Sequence, residues 1–274
     1  MPLRNAIAAQ VHDMVGSRAG DGMARGPGDA GLLPYKGAAW RIHSDFAAMM
    51  IGGGTALLMQ MLHPAAAAGV WDHSNFRADM TGRLRRTAQF VRATTFGTTE
   101  QADTIIDRVR RIHDRVTGVL PDGAPYHAND PATLTWVHVA GADAFVRAYV
   151  RYCDPWASGA MQDRYFAETA IVARRLGATE VPESRGAVAR YLQGVRPQLR
   201  ADDRSRAIAD VLLAAPPPVA GAAPAMQLVM AAGIDLMPPW ARALHGLDAP
   251  AWRRPAVRAG AKGVASLLRW SLAA

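Results

Sequence analysis

The sequence predicts an all-α fold, on three observations. Apolar residues recur at three- and four-residue spacing over long stretches. Glycines and prolines fall at the ends of those stretches. No segment shows the alternation of a strand or the rhythm of βαβ units.

Residues 1–35 are expected to form a loosely ordered arm, because Gly16, Gly20, Gly22, Gly26, Gly28 and Gly31 crowd it. A single domain is expected over residues 36–274. Phe46–Trp71 carries no formal charge and is long enough to span a bilayer. Gly52-Gly53-Gly54, Gln60 and His63-Pro64 argue instead for a buried helix over Phe46–His63, followed by an irregular turn through Ala65–Val70. Glu100–Val116 is the clearest helix. Ile105, Val109, Ile112 and Val116 are expected to form its inward stripe, with Gly118 just past the end. Pro131–Tyr152, Gln162–Leu176, Ser184–Val195 and Ala201–Leu213 follow. A stiff spacer at Pro216-Pro217-Pro218 and Pro224 precedes a C-terminal helical group, Ala225–Leu236, Pro239–Leu247 and Arg254–Leu272.

Composition excludes several classes. The chain of 274 residues is 50% apolar and 20% charged, as in a folded globular protein. Its one cysteine, Cys153, excludes an internal disulfide, a CxxC metal knuckle and a CxxCH haem attachment, and it fits a reducing compartment. The net charge of +8 comes almost wholly from arginines spread along the chain, with Lys36 and Lys262 the only lysines. No nucleic-acid module accompanies it, so nucleic acid is not an expected partner. The plainest reading of the charge is a solvated surface, with acidic ligands and membrane headgroups left open as partners. Met1–Gln10 lacks the apolar run of a signal peptide, which predicts a cytoplasmic protein, membrane-associated through peripheral contact.

The dinucleotide, P-loop, zincin and serine-hydrolase templates are all missing. Among the histidines, His113 follows Ile112 on the apolar edge of its helix, and an inward imidazole needs a partner. His138, in Trp136-Val137-His138-Val139, is its counterpart; a hydrogen-bonded core histidine and an iron ligand are both open for either. His12 and His245 are expected at the surface, and His73 in a polar loop. Arg83 and Thr87 lie four apart and share a helix face; an inward guanidinium calls for a carboxylate or a bound anion. Asp163, Arg164, Tyr165 and Glu168 share another helix, where a surface pair Arg164–Glu168 accounts for them.

Taken in order, several segments resemble the MpaB-type oxygenases and the latex-clearing protein, a rubber oxygenase. They are His63 to Arg77 (HP, small residues, GVWDHSNFR), GRLRRT over Gly82–Thr87, Arg108 to Pro131, WVH over Trp136–His138, DRYFAE over Asp163–Glu168, and LGATEVPES over Leu176–Ser184. The resemblance runs over roughly residues 40–245. It implies a globin-like multi-helix domain with a C-terminal helical extension, holding non-covalent haem b. It also implies an oxygenase that uses O₂ on a small apolar substrate, isoprenoid or lipid-like. The family's proximal ligand on an H-x-x-V-x-G pattern matches His113, in His113-Asp114-Arg115-Val116-Thr117-Gly118. The family R-x-x-x-T motif matches Arg83 and Thr87, as catalytic and cofactor-binding residues; His63 and His138 are further candidates for the cofactor pocket. The lysine that caps the distal iron face in the rubber enzyme is Arg86 here, a poor iron ligand. That departure points away from rubber as the substrate.

Overall fold

The structure is a computed structural model that describes residue 28, residues 30–217 and residues 221–272. Most of the arm expected over residues 1–35 lies outside these residues, as does His12. Among the described residues the fold is all-α: twelve α-helices and one two-stranded hairpin.

Helix α1 (Ala38–His43) leads into α2 (Phe46–Gln60), the axis of the molecule. Helix α2 packs against α6 (Pro131–Tyr152), α10 (Ala223–Leu236) and α12 (Arg254–Leu272), which explains why it is apolar nearly all round. Gly52 lets α6 approach: a Cβ there would stand 2.9 Å from Phe145 Cδ1 and 3.0 Å from Phe145 Cα. On the α10 side, Thr55 Oγ1 donates to the Gly233 carbonyl at 2.8 Å. Two clamps hold α12 down. Arg269 pairs with Asp45 at 2.6 Å, and Arg258 pairs with the buried Asp235 at 2.7 Å.

Pro64 does not leave an irregular turn behind it. It occupies the first turn of a new helix, α3 (Pro64–His73), where its missing N–H costs nothing and four alanines follow. The chain bends by 101° between α2 and α3, and among the described residues no single helix is long and apolar enough to cross a membrane. Helix α4 (Met80–Phe96) and α5 (Thr99–His113) form a tight helical hairpin across Gly97 and Thr98. Thr98 and Gln101 close a reciprocal capping box at the start of α5.

Helix α5 ends at His113, three residues before the expected Val116. Thr117–Val119 (β1) and Pro125–His127 (β2) then form a short antiparallel hairpin that apolar periodicity alone does not reveal. The inward stripe is also shifted. Ala102 and Ile106 are buried, while Ile112 is 53% exposed. The remaining helices are α7 (Gly159–Leu176), α8 (Arg185–Val195), α9 (Asp203–Leu213) and α11 (Pro239–His245).

Candidate functional site

The H-x-x-V-x-G segment is the C-terminus of α5 and the turn into the hairpin, and each of its residues has a local role. The Val116 amide donates to the His113 carbonyl at 3.0 Å, ending the helix. Gly118 faces Tyr126 so closely that a Cβ would stand 2.7 Å from the ring and its hydroxyl. Tyr126 donates in turn to Asp72 of α3 at 2.7 Å, and burial together with that carboxylate pushes the phenol up to about 12. His73, expected in a loop, is the last residue of α3 and pairs with the Thr117 carbonyl at 3.0 Å. Helix α3 and the hairpin are thus bonded to each other beside His113.

His113 is half-buried, and its Nδ1 is enclosed without a hydrogen-bond partner. Burial holds the imidazole below its ordinary value; the neighbouring Asn129 and Asp114 pull the other way, and His127 adds to the depression. The ring is therefore neutral at pH 7, the form that ligates a metal. Asn129 fixes the surroundings. Its Nδ2 donates to Asp114 Oδ1 at 2.7 Å and to the Arg110 carbonyl at 3.3 Å, while its Oδ1 is enclosed and unpartnered. His63, the N-cap residue of α3, has the same character. It is stacked at 6.4 Å on Trp136, its Nδ1 is enclosed without a partner, and burial lowers its pKa.

Arg83 sits in the first turn of α4, behind an Asp79 cap on the Gly82 amide. Its guanidinium donates to Ser74 Oγ at 3.0 Å and has no carboxylate partner among the described residues. Burial, with Arg86 nearby, lowers its pKa. It borders a narrow cleft enclosing about 10 Å³, whose other walls are apolar: Leu57 and Leu58 of α2, Met61 just past its end, Met80 of α4, and Ile208, Ala209 and Leu212 of α9. Thr87 is exposed and its hydroxyl donates back to the Arg83 carbonyl at 3.1 Å. Arg86 is exposed and pairs with Asp79 at 3.3 Å. The α4–α5 hairpin places Arg83 and His113 on helices packed against each other.

His138 belongs elsewhere. It is a half-buried residue of α6; burial takes it down to about 4, helped by Arg174. It faces His43, whose two ring nitrogens are both paired, with Thr95 Oγ1 at 2.8 Å and Tyr165 OH at 3.0 Å. Burial takes His43 down to about 3. His43 is thus satisfied on both nitrogens, unlike His113 and His63.

Sequence reasoning placed three groups wrongly. Glu168 is no surface partner of Arg164: it is 6% exposed and accepts from the Ala38 and Ala39 amides at 3.1 and 2.7 Å, closing the start of α1 from another helix. Tyr165 is likewise buried, against His43. His245 is buried too, with Nε2 on the Leu58 carbonyl at 2.8 Å. Their partners lie 130, 122 and 187 residues away, so no local pattern announces them. Burial and Asp45 push the Cys153 thiol up to about 11, which keeps it protonated and a poor nucleophile at pH 7. Among the described residues no three His, Cys, Asp or Glu side chains are grouped to hold a metal ion, so a single imidazole is what the site offers iron.

A family model described as "ER-bound oxygenase mpaB/B'/Rubber oxygenase, catalytic domain" matches residues 40–270. That span runs from α1 through most of α12. No curated protein and no solved structure matches the chain.

Proposed function

This chain belongs to the mpaB/rubber oxygenase catalytic-domain family, and on that premise we propose that it is a haem-b-dependent oxygenase acting with O₂ on a small apolar, isoprenoid or lipid-like substrate. The observation that carries the haem reading is the buried, unpartnered Nδ1 of His113 on a neutral imidazole. A buried polar atom without a partner costs free energy, so its retention calls for a use.

The residues fit a non-covalent porphyrin in two respects. His113 offers the iron one ring nitrogen while the other turns to an acceptor, and Asn129 Oδ1, enclosed and unpartnered, is the nearest candidate for that role. Arg83 carries a partly buried positive charge with a hydroxyl as its only side-chain partner among the described residues, which suits a propionate. When bound, the haem supplies the activation of O₂. The protein's share is different. Arg83 holds the anionic edge, and the apolar walls contributed by α2 and α9 exclude water and orient an alkene. The cleft beside Arg83 encloses only about 10 Å³, room for about one water and far below the ~300–1,000 Å³ of ordinary ligand pockets, so a porphyrin enters only if the walls repack. Met61 and Met80 are the wall residues that give way, because an unbranched thioether repacks easily. Thr87 offers a hydroxyl one turn from Arg83.

A cytoplasmic location with peripheral membrane contact completes the reading, and α12 supports the contact. It carries no acidic residue, and its outer face presents Lys262, Leu267 and a Trp270 that is 52% exposed.

The test is an absorption spectrum of the purified chain after expression with added haem, then with dithionite and carbon monoxide. A Soret band that disappears in His113→Ala and survives in His138→Ala supports the ligand assignment. Loss only in His138→Ala moves the iron to α6. No band in the unaltered protein leaves a helical protein that binds apolar ligands without haem, and overturns the reading.

A further inference from the structure

A second, wider cavity lies away from Arg83 and His113 and has no histidine in its lining. It is a groove of about 840 Å³, open mouth included, walled by α6, α7 and α8 and closed by Leu236 at the end of α10. Each of the two longer walls carries two kinds of residue in separate rows. On α6, Asp143, Arg147 and Arg151 recur every fourth residue along one ridge, and Val146 and Val150 follow the adjacent ridge. On α8, Arg185 and Ala189 form the outer row, and Val188 and Leu192 the inner one. With Phe166 and Leu236 the inner rows make a continuous apolar floor, in which Phe166 is 2% exposed.

The charge on the lining is unbalanced: three guanidiniums against one carboxylate, Asp143. Two of the three are steadied by acids outside the groove. Arg185 is held by Asp163 at 3.3 Å, and Arg151 by Asp235 at 3.0 Å. Asp235 already serves Arg254 and Arg258, so one carboxylate faces three guanidiniums and the Arg151 end of the groove keeps a positive surplus. Arg147, paired with Asp143 at 2.6 Å, is 46% exposed at the rim. Held arginines lose little freedom when they meet an anion, because their forks are already oriented.

We propose that this groove is a binding site for an anionic amphiphile, with the alkyl chain on the Val146–Val150–Phe166–Val188–Leu192 floor and a carboxylate or phosphate head among Arg147, Arg151 and Arg185. A neutral head finds the Gln162 amide there, and a cationic head finds only Asp143, which Arg147 already holds, so neither matches three guanidiniums. The site is independent of the haem reading, since none of its residues belongs to the α4–α5 hairpin.

Isothermal titration calorimetry of the full chain tests it, with dodecanoate, dodecyl phosphate, dodecyl maltoside and dodecyltrimethylammonium, all below their micellar concentrations. One or both anionic probes bind, and whichever binds more tightly identifies the head as carboxylate or phosphate. The neutral and cationic probes bind at least tenfold more weakly. Ala189 is exposed at the mouth, so Ala189→Trp plugs the groove without touching the core, and it abolishes binding at an unchanged Tm. Arg185→Gln weakens both anions about tenfold. Equal binding of all four probes, or anion binding that survives Ala189→Trp, overturns the proposal.

Discussion

The described histidines differ in how their enclosed nitrogens are satisfied: His43 has both paired, while His63, His113 and His245 each keep one enclosed Nδ1 without a partner, His245 with its Nε2 on the Leu58 carbonyl. His43 is enclosed with both nitrogens paired, inside a ring of Thr95, Tyr165 and Phe145. His113 and His63 are enclosed only in part, and each keeps one buried nitrogen without a partner. The first arrangement stabilises a core; the second leaves capacity for a ligand. Burial lowers the pKa in both, so a shifted value alone does not tell them apart.

The sharpest way to break the contrast is a pair of substitutions. His113→Ala removes haem binding, read as loss of the Soret band, and changes Tm by a few degrees at most. His43→Ala strands the Thr95 and Tyr165 hydroxyls in the core, at about 2–4 kcal/mol for the two lost bonds. In a domain of this size that lowers Tm by roughly 5–15 °C in a calorimetric scan. A His43→Ala protein with unchanged Tm shows that the paired ring does not stabilise the core.

Glu168→Ala comes next. It leaves the Ala38 and Ala39 amides without their acceptor, and the expected loss is about 2–3 kcal/mol by chemical denaturation. Arg83→Ala then sharpens the haem side: haem dissociates about tenfold faster than from Arg85→Ala in an apomyoglobin transfer assay. Equal rates in the two variants refute the inward role of Arg83.

The acid limb probes all the buried rings together. Folded His43 titrates at about 3 and His138 at about 4, against 6.5 for a free imidazole. Below pH 6.5 the unfolded chain therefore takes up protons that the folded chain refuses, so stability is full above that pH and falls as pH drops towards 4. A flat denaturation midpoint between pH 7 and pH 5 contradicts this. The smallest effect belongs to Thr87→Val, which removes only a back-bond to Arg83: about 0.5 kcal/mol or less in stability, with any larger change confined to the haem-loaded protein.

The fold was legible in the sequence where it depends on local periodicity. The helices with alternating apolar and charged faces were placed within a few residues, and capping residues such as Ser158 and Ser184 stand where the starts require them. The α2–α3 bend was half legible, because a proline that ends one helix also suits the first turn of the next. In the candidate site, spacing put Arg83 and Thr87 on one helix face, but Thr87 is exposed while Arg83 is half-buried, and the Ser74 partner of Arg83 was not legible. The hairpin after His113 escaped notice because three-residue strands carry almost no periodicity. His43, Glu168 and His245 escaped because their partners come from distant segments, a relation that only tertiary packing creates.

The clamp between Asp45 and Arg269 joins residues 224 apart, near opposite ends of the described chain. At ~5–20 residues per second of synthesis, Asp45 waits roughly 10–45 s for its partner to be made. Over that interval the flank of α2 that α12 will cover has no such cover, so the nascent chain exposes an apolar helix flank until α12 has been made. Chaperone binding to that flank, and its release as α12 arrives, is the biosynthetic signature this closure implies.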